Sequence, residues 1–138
     1  MKNSRIESFT YNGATLAVVF QESYEVVPGV TCDVYIHPET QQRDLGIITI
    51  EPHAKTPRQK VLGGDETIEG YLSGKGTLTI THRDGKQSVF EVGPENEGFS
   101  HPVEIGEIMQ WQADDNEGLI VFEICFPPYQ DGRFENLI

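Results

Sequence analysis

The hydrophobic pattern of this chain is short and broken, with a period close to two. Ala14-Thr15-Leu16-Ala17-Val18-Val19-Phe20 is the first apolar run, and it predicts a strand. Thr31 to Ile36 alternates, is rich in β-branched residues and stops at His37-Pro38. Leu45 to Glu51 is strongly β-prone and ends at Pro52. Glu69–Ser73 and Thr77–Thr81 follow, split by Gly74-Lys75-Gly76. Thr77–Thr81 sets Leu78 and Ile80 on one face and its threonines on the other. Asp84-Gly85 then separates two alternating runs, which predicts a hairpin into Gln87–Val92. Residues 93 to 98 read as loop, and the tail from Pro127 to Phe134 is rich in turn residues. Glu107–Ala113 and Leu119–Phe126 are expected to form a last strand pair, joined by residues 114 to 118. No segment sustains a helical period, so the pattern predicts an all-β sandwich or barrel.

Composition narrows the function classes. The chain has 138 residues, which suits one domain spanning 1–138. Its 22 acidic and 10 basic residues give a formal charge of −12. That balance argues against nucleic acid and against an anionic membrane surface as partners. The acidic residues are scattered, so they also read as a solvated surface. Cys32 and Cys125 lie far apart in apolar stretches, which predicts two buried thiols rather than a zinc or redox pair. The N-terminal stretch has no apolar signal core, and no apolar run nears about 18 residues. A cytoplasmic protein is expected.

From Gly46 to Pro128 the chain resembles the cupin superfamily, the RmlC-like jelly rolls. The resemblance rests on Ile68-Glu69-Gly70-Tyr71-Leu72-Ser73-Gly74-Lys75-Gly76-Thr77-Leu78, read as a strand turning through glycines into its partner. It rests also on the Asp84-Gly85 hairpin, on Val103 to Trp111 as a second motif, and on the apolar strand running into Pro127-Pro128. What it implies is a double-stranded β-helix, or jelly-roll barrel, with its core over about 45–128 and a small site in its mouth. Cupins typically hold a metal there through a histidine pair and a glutamate of the first motif and a histidine of the second. Here Gln59 and Val61 occupy or neighbour the histidine positions, Thr67 (with Glu66 beside it) the glutamate position, and Met109 the last. An insertion near Gly63-Gly64 leaves the first-motif register loose by a residue or two. Apart from Glu66, none of these is a good ligand for a hard or borderline divalent cation. Neither a metal nor a cofactor is therefore expected.

The candidate chemistry is sparse. The histidines at 37, 53, 82 and 101 form no close pair. His53 lies nearest the barrel mouth in cupin topology, and reads as an acid or base or as an exposed loop histidine. Met109 and Trp111 share a face, as pocket wall or as core. In the last strand Glu123 shares a face with Leu119, Val121 and Cys125, while Ile120, Phe122, Ile124 and Phe126 read as the core face. Glu123 then faces solvent or an interface, or enters the pocket as a general acid or base. Arg58, Gln59 and Lys60 offer donors near the mouth or form a solvated loop, and Tyr71 offers a phenol. No nucleophile elbow or phosphate loop is present, so covalent catalysis and nucleotide binding are not expected.

The expected function is a metal-free cupin that binds a small molecule. The alternatives are a metal-free isomerase, epimerase or cyclase for a sugar or small organic acid, using His53, Tyr71 and Glu123, and a metal-dependent dioxygenase. A homodimer is expected, with the strand near Ala14–Phe20 able to cross over. The fold alone does not decide among these functions.

Overall fold

A computed structural model describes residues 5–40, 42–129 and 132–137. Its strands are β1 (Ser8–Tyr11), β2 (Ala14–Ala17), β3 (Val19–Val27), β4 (Val30–Ile36), β5 (Asp44–Ile50), β6 (Arg58–Val61) and β7 (Glu66–Gly74). They continue as β8 (Gly76–Thr81), β9 (Gln87–Val92), β10 (Ser100–Val103), β11 (Ile108–Ala113), β12 (Leu119–Phe126) and β13 (Phe134–Leu137). A 3-10 turn, Pro94–Asn96, interrupts the 93–98 loop. No helix among the described residues is long and apolar enough to cross a membrane.

The strands form a six-stranded sheet, ordered β10-β7-β12-β5-β4-β3, and a five-stranded sheet, ordered β13-β6-β11-β8-β9. Period-two alternation gives each sheet an apolar inner face, and the two inner faces close on each other. Val30, Ile50, Tyr71, Leu119 and Val121 from the first meet Leu78, Ile80, Met109 and Trp111 from the second. A separate cluster covers the outer face of the six-stranded sheet. There the β1–β2 hairpin lays Phe9 and Tyr11 against Phe122, at ring-centroid distances of 5.0 and 6.0 Å.

Four sequence expectations change. The run from Ala14 to Phe20 breaks at Val18, which turns the chain from the hairpin into β3. Gly74-Lys75-Gly76 does not return β7 beside β8: it carries the chain from one sheet to the other. Residues 114–118 likewise join β11 to β12 across the sheets rather than as a hairpin. The two crossings run side by side, Lys75 N donating to Gly118 O (3.1 Å) and Asp114 N to Lys75 O (2.9 Å). That contact explains the glycines, since a Cβ at Gly74 would collide with the Gly118 carbonyl and one at Gly76 with that of Gln112. Lastly, both faces of β12 are buried. Phe122 and Ile124 lie under the β1–β2 hairpin, and it is the Leu119–Val121–Glu123–Cys125 face that looks between the sheets.

The Asp84-Gly85 hairpin forms as expected. Gly85 has φ 90° and Lys86 N donates to Asp84 Oδ1 at 2.9 Å. β13, in the stretch read as turn-rich tail, adds an edge strand beside β6. Just before it, Arg133 ties the barrel end together, donating to the carbonyls of Pro127, Glu66 and Phe126 and to Thr67 Oγ1. Its guanidinium lies on Gly64, where a Cβ would overlap it.

Candidate functional site

A cavity of about 830 Å³ opens between β3, β4 and β5 on one side and β6 and β13 on the other. Its most buried acid is Glu123. Inward alternation on β12 aims this side chain between the sheets, and its neighbour across β5 is Gly46, which has no side chain to cover it. Space beside Gly46 is taken by the Cys32 thiol, 3.3 Å from where a Cβ would stand.

On the other flank of β12, Glu123 is paired in register with Glu69 of β7. Directly opposed side chains on one sheet face stand about 5 Å apart at Cβ, and like charges there repel. Glu69 is 1% exposed. Its Oε1 accepts the indole N–H of Trp111 at 2.7 Å, and its Oε2 has no donor. The Glu123 carboxyl lies within hydrogen-bonding reach of the Glu69 carboxyl. Burial, and then the charge of Glu123, push Glu69 well above the ordinary carboxylate range. Burial raises Glu123 as well, against lowering contributions from Glu69, Arg133 and the Cys125 thiol, whose Sγ is 3.8 Å from Glu123 Oε1. Both shifts favour the protonated form, and one proton shared between the two carboxyls would satisfy Glu69 Oε2.

The neighbouring titratable groups are shifted as well. Cys32 is pushed up to about 12 by burial and by the Glu123 charge, so it stays a neutral thiol. Burial raises Asp44 too, although its oxygens accept the amides of Cys125 (3.2 Å) and Tyr129 (2.8 Å). The cavity lining holds Glu22, Glu25, Asp44 and Glu123 and, among the described residues, no Arg, Lys or His.

The residues singled out from sequence disperse around this site. Gln59 lines the cavity and donates from Nε2 to Asn136 Oδ1 at 2.9 Å. Arg58 is exposed beside Leu137 and lines neither cavity. Val61, Met109 and Trp111 are buried in the inter-sheet core. Tyr71 is buried there also, its hydroxyl donating to Gly74 O at 2.8 Å. His53 sits on an outer turn, largely exposed, with Nδ1 2.7 Å from Asp115 Oδ1. Of His53, Tyr71 and Glu123, the structure brings Glu123 alone to the cavity. Glu69 was the residue that sequence reasoning missed. Its one local signal was an acid on the same face as Tyr71.

The positions where the family would carry metal ligands do not make a donor set. Gln59 is paired with Asn136, Val61 and Met109 are apolar core, Thr67 accepts from Arg133, and Glu66 is exposed. No group of three or more His, Cys, Asp and Glu converges among the described residues. A divalent cation does not fit these side chains. A second, more open cleft of about 1080 Å³ lies by Val61, Gly64, Thr67 and Arg83. It is the larger of the two but reaches neither carboxylate of the pair.

No family model matches the sequence, and no curated protein matches it. Solved structures do match. A mutant of the Bacillus subtilis oxalate decarboxylase OxdC superposes with a TM-score of 0.68 at 20% identity, covering 85% of this chain and 30% of that one. The capsular polysaccharide assembling protein CapF from Staphylococcus aureus gives 0.65 at 11% identity, covering 87% and 34%. A Streptomyces PAC13 variant with uridine gives 0.62 at 9% identity, covering 85% and 84%. The chain thus spans about a third of the first two proteins and most of the third. All three are cupin-fold proteins, and the facing sheets of this chain, joined by paired crossings, are that same cupin fold.

Proposed function

We propose that this protein binds a small organic molecule in the cavity beside Glu123, without a resident metal. The observation that carries the reading is the 830 Å³ cavity, within the usual range for ligand pockets, with a half-buried carboxyl exposed on its wall by Gly46. The lining disfavours a small organic acid, because an anion there meets carboxylates and no cation. A neutral polyol or sugar, or a cation, suits Glu123, Gln59 and Tyr24 better. Ligand-observed NMR against a panel of neutral, cationic and anionic compounds tests this. Binders are expected among the first two classes, and Val34→Trp, which places a large ring in the cavity, should abolish them. Binders untouched by Val34→Trp, or confined to anions, would refute the reading.

A second reading, acid–base isomerisation or epimerisation, is favoured by the Glu69–Glu123 pair, which keeps a proton to give and an oxygen to receive one. A ligand identified in the panel should then exchange a C–H proton for deuterium in D2O, and Glu123→Gln should stop it. A homodimer belongs to the same proposal, supported by the edge position of β3 and the exposed Val19 and Tyr24 on it. Light scattering should give the mass of two chains.

A further inference from the structure

A second polar constellation lies on the far side of the five-stranded sheet from the β6–β13 edge. His82 directly follows β8, Ser88 belongs to β9, and Glu107 directly precedes β11. Sheet order brings them together. Ser88 pairs with Ile80, so it shares the face that His82 takes two residues after Ile80. Ile108 pairs with Thr81, which sets Glu107 beside His82. His82 Nε2 is 2.6 Å from Ser88 Oγ, and His82 Nδ1 is 2.6 Å from Glu107 Oε2. Glu107 Oε1 accepts the Glu104 amide at 2.9 Å, which fixes the carboxylate.

The three groups carry the polarity of a nucleophile relay. Glu107 is the more enclosed, 11% exposed at its side chain, and His82 the less, at 33%. Burial alone would raise Glu107, but the Glu104 amide and the His82 ring outweigh it and hold the carboxyl below its ordinary range. An ionised Glu107 accepts a hydrogen bond from Nδ1–H and leaves the Nε2 lone pair toward the Ser88 hydroxyl. His101 is the other histidine whose charge reaches Glu107, and Arg83 pairs with Glu104 at 3.2 Å on the exposed side. Among the described residues β9 is the outer strand of its sheet, so one row of its backbone N–H groups has no strand partner.

We propose that Ser88 is an activated nucleophile toward carboxylic esters, with His82 as its base and Glu107 as the residue that orients His82. Ser88 Oγ bonds to the ester carbonyl carbon while its proton passes to His82 Nε2. The ester C–O bond then breaks, and the alcohol leaves with that proton. Water attacks the resulting acyl-Ser88, giving its proton to His82, and the acid departs as Ser88 regains its hydrogen. This chemistry is separate from the cavity at Glu123.

The test is covalent labelling of the full chain with a fluorophosphonate probe, followed by intact mass and peptide mapping. One label on Ser88 is expected, lost in Ser88→Ala and slowed at least about 100-fold in His82→Gln, the range ordinary for a general base. Glu107→Gln should slow it by a smaller factor, with the urea midpoint of unfolding recorded alongside. If these variants unfold, Ser88→Cys gives an independent reading. Its introduced thiol, beside His82, should react with iodoacetamide at pH 6, while Cys32 and Cys125, both buried, stay silent. An unlabelled Ser88, equal rates in wild type and a folded His82→Gln, or an introduced thiol in Ser88→Cys as inert as the buried pair would each overturn the proposal.

Discussion

Glu69→Gln isolates the shared proton. The substitution keeps the shape of the side chain and an oxygen for the Trp111 N–H, and it turns an amide donor toward Glu123. In the wild type the folded pair holds a proton that the unfolded chain has released, because burial raises both carboxyls. The folded state then binds more protons than the unfolded one, so stability falls as pH rises. The contribution is full below the ordinary glutamate pKa and is lost steadily up to the raised pKa of the pair. The slope for one proton is about 1.4 kcal/mol per pH unit. In Glu69→Gln that slope is reduced, since one of the two buried carboxyls is gone and Glu123 faces an amide donor.

Between pH 5 and pH 7 the variant should therefore gain stability relative to wild type, by no more than about 3 kcal/mol, the limit for one proton over that interval. Asp44 is raised in both proteins and cancels in the difference. Urea unfolding read from the fluorescence of Trp111, the single tryptophan, measures this directly, with equal m-values required of both proteins. Two stability curves that stay parallel across that interval, within about 0.5 kcal/mol, would refute the shared proton.

Three further outcomes follow from the same contacts. Trp111→Phe removes the donor to Glu69 Oε1 and should cost about 1–3 kcal/mol by circular dichroism in urea, the cost of an unpaired buried acceptor. Gly70→Ala drives a Cβ into the Phe122 ring under the β1–β2 hairpin, so overpacking should lower stability by about 1–3 kcal/mol; an unchanged melting temperature would contradict that packing. Elemental analysis of the purified full chain should find no iron, manganese, nickel or zinc near one equivalent, because the positions that would ligate it hold Gln59, Val61, Thr67 and Met109.

Most strands were legible because their signals are local. Thr31–Ile36, Leu45–Glu51 and Thr77–Thr81 alternate within a few residues, and Asp84-Gly85 names its own turn. β6, β10 and β13, four residues each with little apolar character, were not, and neither were β1 or β3 beyond Phe20. Arg58-Gln59-Lys60-Val61 becomes a strand because β11 and β13 supply partners on either side, a tertiary effect that no window of sequence contains.

The site was harder to read than the strands, for a definite reason. Cross-strand neighbours depend on sheet order, and sheet order depends on which connections cross between sheets. A hairpin through residues 114–118 would have paired Glu123 with Met109, an acid beside a thioether with nothing to titrate against. The actual crossing sets β12 between β7 and β5, so Glu123 meets Glu69 on one side and the bare backbone of Gly46 on the other. The first neighbour sets a second buried carboxyl against it, and the second leaves it without a facing β5 side chain. Neither is near it in sequence. The relay at Ser88 has the same origin, because Glu107 reaches His82 only through the pairing of β11 with β8. In this fold the glycines that looked like hairpin turns decide the chemistry, by letting two crossings lie against each other and so choosing which side chains face across the sheets.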